Sequence, residues 1–371
     1  MRDFDGTHCR PGCAEESSPA DTLDLMEFLQ NVPLAPFTTL QIGGQAAWFA
    51  EAASEVEVME AVEFARLRAL RLFVLGGGSN LLVSDEGFPG LVLRIALKGI
   101  KESFEDDKLI VRAGAGEDWD GFVDQTIALD CAGIECLAGI PGTIGGTPVQ
   151  NVGAYGQEVS QTIRMVRALD LDTLGLVEFT NAECGFGYRQ SIFNTSARGK
   201  YIVTQVEYEV TPGAPPTLTY ADLKRRFPDA GEPPSVAKVA STVRAIRREK
   251  GMLLVEGDPD TASAGSFFKN PIIEQSELER IRAAVPANTA IPSYPAGDGK
   301  VKLAAAWLLE QTGFTKGYGS GRVGISSRHT LALINRGGAT AAEVLGFSNE
   351  IVAKVEARFG VRLEREPVFL E

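Results

Sequence analysis

Apolar and polar positions along the chain alternate between two periods, and the switches mark its elements. Ser54 followed three residues on by Glu57 forms a capping box, after which Val56, Met59, Val62, Phe64 and Ala65 recur at helical spacing to about Ala69. The short apolar run 72–75 then predicts a strand that enters Gly76-Gly77-Gly78-Ser79-Asn80. Strand, helix, strand and glycine turn in this order predict an α/β unit whose turn lies at a strand's carboxyl end, where ligands usually bind. Residues 37–42 predict an earlier strand entering Gly43-Gly44. Runs at 81–83 and 91–95 predict two more strands, with a turn at 87–90 between them.

Residues 109–116 read as a strand ending in glycines, followed by a helix over 118–129. Residues 163–171 and 175–179 form a strand pair joined at Asp172-Thr173, and 201–210 adds another strand. This spacing suits an antiparallel α+β domain. A proline-rich linker at 212–216 precedes an exposed loop or short turn at 218–223. The helix over 235–250 places Val236, Val239, Ala240, Val243 and Ile246 on one face, leaving Arg244, Arg247 and Arg248 on a solvated one. Helices at 276–284, 301–311 and 341–359 with a strand at 331–334 predict a third, smaller α/β domain. A last strand over 361–370 carries Glu364 and Glu366 on one face. Residues 1–22, rich in Glu, Ser, Asp, Pro and Gly, have no apolar period and read as a mobile tail.

Composition narrows the function. With 44% hydrophobic residues among 371, the chain can bury a large core and hold two or three domains. The 36 basic and 49 acidic residues leave a net charge of −13, which excludes non-specific binding to nucleic acid or anionic membranes. No apolar run approaches a membrane span and no signal-peptide core opens the chain, so a cytoplasmic protein is expected. Five cysteines, irregularly spaced, make no disulfide framework, and Cys9 and Cys13 have only His8 nearby, too few ligands for zinc. No metal site is expected.

The candidate chemistry begins at residues 137–156, where six glycines and two prolines fall in twenty residues with Ile, Val, Leu and Tyr between them. Flexible linkers rarely carry those apolar side chains, so an ordered loop pressed against a ligand is expected. Clustered main-chain N–H groups suit a phosphate-bearing cofactor, although a run of tight structural turns gives the same composition. A P-loop motif is absent. The match of residues 319–324 to a dinucleotide-binding pattern lacks a preceding strand and is discarded. With His8 and His329 the two histidines, a Ser-His-Asp triad or histidine-rich metal site has nothing to draw on.

Several separated blocks resemble one family, the UDP-N-acetylenolpyruvoylglucosamine reductases. They are residues 75–81, 139–156, Gly187-Tyr188-Arg189-Gln190-Ser191-Ile192-Phe193, Ala264-Gly265-Ser266-Phe267-Phe268-Lys269-Asn270-Pro271, and 363–368. The resemblance covers about 23–371. It implies an α+β protein with a two-part FAD-binding fold of the vanillyl-alcohol-oxidase/PCMH type and a smaller C-terminal α/β substrate-binding domain. Residues 23–98, joined by the strand 361–371, and residues 99–250 would form the FAD-binding parts, and 251–360 the substrate domain. The partner it implies is a small-molecule substrate, a UDP-sugar enolpyruvyl ether, with NADPH as reductant, in a monomer without membrane insertion or nucleic acid.

Residue by residue, the resemblance assigns FAD to Gly76, Gly77, Gly78, Ser79, Asn80, Gly139, Ile140, Pro141, Gly142, Gly145, Gly146, Gly153, Tyr155 and Gly156. Arg189 matches an arginine facing a carboxylate that gains charge, Ser266 a proton donor, and Glu366 a C-terminal acid that polarises the substrate carboxyl group. A serine hydroxyl is a weak acid, so a neighbouring cation or polarised chain is required, with Lys250 and Asn270 as candidates. Tyr220 matches a loop tyrosine that covers the substrate in one subtype. Tyr188, Lys250, Lys269, Asn270 and Lys302 complete the substrate-binding set, Lys302 being equally readable as a surface lysine. Two other readings stay open: an oxidase of a small alcohol or sugar on the same flavin fold, and a nucleotide-binding protein that has lost its chemistry.

Overall fold

The computed structural model describes residues 26–228 and 233–371. The expected tail at 1–22, with the Cys9 and Cys13 pair, lies outside them. The chain opens with β1 (Leu29–Pro33) and β2 (Gln45–Ala52), then α1 (Glu55–Leu67), β3 (Arg71–Leu75), β4 (Leu81–Val83) and β5 (Phe88–Ile95). Four of these strands form a sheet in the order β1-β2-β5-β3, parallel except for β1. On β5, Leu91 and Leu93 pack with Val58, Ala61, Val62 and Ala65 of α1, whereas Val92 packs with Leu34, Phe49 and Leu75 on the other face. A strand covered on both sides must be apolar at successive positions, and β5 is.

Two expectations fail here, and one strand is not foreseen at all. Residues 37–42 are not a strand: Pro36 starts a 3-10 turn over Ala35–Phe37, and the Thr38 hydroxyl closes onto Ala35 O. β2, reading Gln-Ala-Ala-Trp-Phe-Ala-Glu-Ala, lacks alternation and went unpredicted. Val56 is 62% exposed and Met59 and Phe64 are half-buried, so the buried face of α1 is Val58, Ala61, Val62 and Ala65, of which Val62 and Ala65 match the expected stripe.

The second sheet is built from β6 (Ile100–Glu105), β7 (Lys108–Gly114), β8 (Cys131–Ala132), β11 (Ile163–Asp170), β12 (Leu176–Thr180) and β13 (Tyr201–Pro212). Between them come α2 (Trp119–Ala128) and the ribbon of β9 (Gly153–Ala154) with β10 (Gln157–Glu158). Its order is β12-β11-β13-β7-β6, antiparallel throughout, with β8 on β13. Trp119, Phe122 and Tyr208 stack inside it, and burying each aromatic body stabilises by roughly 1.5–3 kcal/mol. The short helix α3 (Ala221–Arg226), expected as a loop or turn, and α4 (Val236–Glu249) follow, with Leu223 buried.

The remaining chain forms β14 (Ser263–Ser266), β15 (Ile272–Glu274), α5 (Gln275–Ala283), β16 (Ser293–Pro295), β17 (Lys300–Leu303), α6 (Ala305–Gln311), β18 (Val323–Ile325), β19 (Ala332–Asn335), α7 (Ala341–Phe359) and β20 (Val368–Leu370). Two three-stranded sheets, β14-β19-β18 and β15-β17-β16, carry the helices. The helix expected over 301–311 begins at Ala305, because Val301 and Lys302 pair with Ile273 and Ile272. Only the end of the expected strand 361–370 is a strand: β20 runs parallel to β4, its Leu370 opposite Val83. This β4/β20 ribbon separates two cores, with Leu82 in the C-terminal one and Leu81, Val83 and Leu370 in the N-terminal one.

Asp85, just past β4, caps α7 from 256 residues away: Ala341 N–H donates to Oδ1 at 2.7 Å and Ala342 N–H to Oδ2 at 2.9 Å. These are first-turn amides with no partner inside the helix. Asp85→Ala is expected to lower stability by about 1–2 kcal/mol, read from the urea midpoint. An unchanged midpoint would deny the cap its role.

Candidate active site

Two glycine segments meet at the junction of the first two sheets. Residues 76–80 leave β3 and residues 139–146 pass beside them, tied by Ser79 Oγ donating to Pro141 O at 2.9 Å. A Cβ on Gly77 would lie 2.6 Å from Gly142 Cα, so the backbones touch without room for a methyl group. Gly78 has φ +63°, and a Cβ there would fall 1.8 Å from Phe37 O. The second segment is anchored to its sheet by Gly145 N–H donating to Ala115 O at 2.8 Å and by the 2.6 Å bond between Thr147 Oγ1 and the Tyr208 hydroxyl. Thr143 Oγ1, beside Gly76, is the buried side-chain polar atom without a partner among the described residues. A cleft of about 420 Å³ opens nearby, between Gly76, Gly77, Thr38, Thr39 and Leu254.

Asn80 turns toward the C-terminus, donating from Nδ2 to Gln150 Oε1 at 2.8 Å and to Glu366 O at 3.2 Å. Ile140 packs on the main core, and Gly146 meets no neighbour that would bar a side chain. Tyr155 is buried and stands edge-on to Tyr220 at 5.4 Å, while Gly156 backs against Thr219. Lys250 Nζ lies 5.5 Å from the Tyr155 ring centre and donates to Asp222 at 2.6 Å. Two arginines of α4 do not face solvent as expected. Arg247 is buried, donating from Nε to Gly139 O at 2.9 Å and from Nη2 to Met252 O at 2.7 Å, and Arg244 pairs with Asp120 at 2.6 Å. Both hold the glycine segment; Arg248 is the exposed one.

Arg189 and Glu366 form the polar centre. Arg189 takes a left-handed backbone, φ +57°, and its Nε donates to Glu366 Oε1 at 2.9 Å while Nη2 donates to Gly153 O at 2.9 Å. Their side chains are 19% and 12% exposed. Burial pushes the Glu366 carboxyl above the ordinary carboxylate range, against the lowering effect of Arg189. Glu366 N–H donates to Phe267 O at 2.9 Å, which sets the acid beside the segment carrying Ser266. Glu364 does not share that environment: it is exposed and pairs with Lys269 at 3.3 Å. Tyr188 collects the other residues, with Lys302 Nζ 4.5 Å from its ring centre and its hydroxyl accepting from Asn270 N–H at 3.4 Å. Asn270 Oδ1 also accepts from Ala305 N–H at 2.9 Å, at the start of α6.

Ser266 ends β14, and its Oγ lies 3.3 Å from His329 Nε2. Lys250 and Asn270, expected to polarise it, are bonded elsewhere, Lys250 to Asp222 and Asn270 to Tyr188 and Ala305. His329 was the residue sequence reasoning set aside. Burial, with Lys250, Lys316 and Arg247 adding positive charge, pushes its pKa down to about 4, so the ring is neutral at physiological pH. Nothing in the spacing of positions 266 and 329 foretells their contact; the one available signal is a lone histidine just before a buried strand.

An FAD binding domain model matches residues 46–173, and a model of the UDP-N-acetylenolpyruvoylglucosamine reductase C-terminal domain matches residues 258–370. The class is therefore an FAD-binding oxidoreductase, with a two-part flavin fold of the vanillyl-alcohol-oxidase/PCMH type followed by a smaller C-terminal domain. Reductases of this kind from Thermobifida fusca and Saccharopolyspora erythraea are 45% and 46% identical over 350 residues each, 92% and 91% of this chain and 98% and 94% of theirs. The solved structure of the Thermus caldophilus reductase superposes with a TM-score of 0.62 at 25% identity, over 93% of this chain and 99% of that one. The chain belongs to the UDP-N-acetylenolpyruvoylglucosamine reductase family.

FAD fits the residues present. The paired glycine turns leave no side chain between backbone and ligand, and the unpartnered Thr143 hydroxyl offers a polar contact in the same wall.

Gly77→Ala is expected to fold, with unchanged far-ultraviolet circular dichroism, yet to bind FAD at least tenfold more weakly, since a displaced turn loses about 1.4 kcal/mol or more of contact. Full retention of the flavin absorbance after gel filtration would refute this.

The Glu366 environment sets a second expectation. Its raised folded-state pKa means that charging it opposes folding as pH rises from the ordinary carboxylate range through the folded value. Arg189 opposes that effect, so Arg189→Ala should cost about 3 kcal/mol at alkaline pH and less in acid, where Glu366 is protonated. Adding Glu366→Gln should recover most of the loss in denaturant titrations. A pH-independent loss would show that the pair is not what Arg189 supports.

Proposed function

We propose that the protein reduces UDP-N-acetylglucosamine enolpyruvate to UDP-N-acetylmuramate with NADPH through bound FAD, as a monomeric cytoplasmic enzyme of peptidoglycan precursor synthesis. The observation that carries this reading is the largely desolvated Arg189–Glu366 pair, whose Glu366 N–H bonds the carbonyl of Phe267, the residue after Ser266. On this reading residues 23–98 with 361–371, and residues 99–250, hold the flavin, and 251–360 the sugar nucleotide.

FAD supplies the hydride chemistry, accepting from NADPH and delivering to the methylene carbon of the enolpyruvyl group. The protein's own task is charge and a proton. Hydride delivery leaves carbanion character next to a carboxylate, a centre approaching two negative charges. Arg189 presents a rigid fork of donors to that carboxylate, and Glu366 fixes the fork's direction. Ser266 gives its proton to the carbon beside the carboxylate. Tyr188, Asn270 and Lys302 lie together and take the diphosphate, with Lys269, which pairs with Glu364, as a second cation, while Tyr220 and Lys250 close the side formed by Tyr155. Binding in a site that excludes water strengthens each of these interactions.

The test is an anaerobic absorbance titration in two steps. NADPH is expected to bleach the flavin band, and the enolpyruvyl sugar nucleotide to restore it. In Ser266→Ala the bleaching should survive while restoration slows by roughly 10²–10⁴-fold, the range general acids contribute. A protein that bleaches and is restored by oxygen alone, never by the enolpyruvyl compound, would be an oxidase and the reading would fall.

A further inference from the structure

A serine hydroxyl carries one hydrogen, and that is the proton the reaction needs. If Ser266 donated it to His329, none would be directed at the substrate; the 3.3 Å contact between Ser266 Oγ and His329 Nε2 is therefore productive only when the ring is the donor. The ring is neutral, with its pKa pushed down to about 4, and a neutral imidazole has one N–H to give.

The turn that carries the ring is built to hold it still. Ser326 Oγ accepts from both Arg328 N–H at 3.1 Å and His329 N–H at 3.3 Å, and His329 O accepts from Ala332 N–H at 3.1 Å. Asp260 accepts from Ser327 N–H at 3.0 Å, Ser327 Oγ at 2.6 Å and Arg328 Nε at 2.9 Å, and Arg328 also pairs with Asp258. Arg328 Nη1 reaches Arg248 O at 3.0 Å, joining the turn to the end of α4. Exposed turns seldom have so many fixed donors and acceptors.

We propose that His329 is a positioning residue for Ser266: its Nε2–H donates to the serine oxygen, turns the hydroxyl proton toward the substrate carbon, and steadies the oxygen as that proton leaves. The inference rests on the proton-donor role given to Ser266 above. In the step, the Ser266 O–H bond breaks as a C–H bond forms at the substrate carbon. The electron pair left on Oγ is held by the imidazole N–H, and water replaces the proton after product departs. The ring keeps its own proton throughout.

The experiment compares two donor-free replacements, His329→Phe and His329→Leu, with His329→Gln, whose amide retains an N–H. Bleaching by NADPH shows in each case that flavin is bound and the fold intact. Flavin restoration by the enolpyruvyl substrate should slow about 10²-fold in the donor-free variants, the effect of removing one donor to a developing oxyanion. His329→Gln should recover most of the rate and keep the parent's pH profile across neutral pH. Ser266→Ala combined with His329→Leu should be no slower than Ser266→Ala alone, because the two act as a unit. Restoration unaffected by His329→Leu while Ser266→Ala is slow overturns the inference and leaves Ser266 in its role. Losses that add in the double variant, or a His329→Gln that stays slow, overturn it too. Normal restoration in Ser266→Ala removes both the serine's role and the inference.

Discussion

The candidate site depends on a backbone-to-backbone contact that admits no side chain without a local shift. Where residues 76–80 pass residues 139–146, the main chains come close enough that the beta carbon of any other residue at Gly77 would overlap the opposite chain. The constraint works in both directions. It brings the end of a parallel strand against a loop anchored on an antiparallel sheet, and so welds two differently built layers at one seam. It also leaves Gly76 and Gly77 lining a cleft, with the Thr143 hydroxyl buried and unspent behind Gly76. Arg247 and Arg244 serve that seam from behind, which is why α4 turns charged residues inward at positions that a purely amphipathic helix would give to solvent.

On this seam the chain mounts a second contact of long sequence reach. Arg189 and Glu366 are 177 residues apart, and each is positioned by further hydrogen bonds: Arg189 donates to Gly153 O and its carbonyl accepts from the Asn194 amide, while Glu366 N–H donates to Phe267 O and its carbonyl accepts from the Asn80 amide. A desolvated ion pair contributes little net stability when compared with apolar packing. Its value here is geometric. The guanidinium is held in a plane, at an unfavourable left-handed backbone position, by a partner whose own charge is made costly by burial. A guanidinium fixed in this way matches the role proposed for Arg189.

Much of this was legible in the sequence, and the parts that were not share a physical cause. α1 announced itself by a capping box, α4 by its apolar face, and α2 and α7 fall where helices are expected, while the strand-then-glycine order marked the loop that follows β3. The family-specific blocks singled out Arg189, Ser266 and Glu366, and the family assignment follows from the relatives. β2 escaped because a strand flanked on both faces needs no alternation, and its alanines read as helix formers. The span 37–42 misled because Pro36 and Thr38 favour a local turn over pairing. His329 was passed over because a lone histidine acquires meaning from whatever folds against it, here a serine 63 positions earlier. The roles of Glu364 and Glu366 likewise diverge only once Phe267 and Asn80 have fixed which of the two is buried.

The pairing of β20 with β4 ties the last strand of the chain to one of the first. On a ribosome, residues near position 81 emerge long before those near 368, so the N-terminal half waits through most of synthesis with this edge unpaired. Leu81 and Val83 lack only Leu370 from their core cluster until then, and the cap on α7 has no helix to serve. Closure is thus a late, long-range event whose loop entropy is met in a single step. The same step seats Glu366 against Arg189, so the polar centre forms only after residues 366–370 have joined the fold.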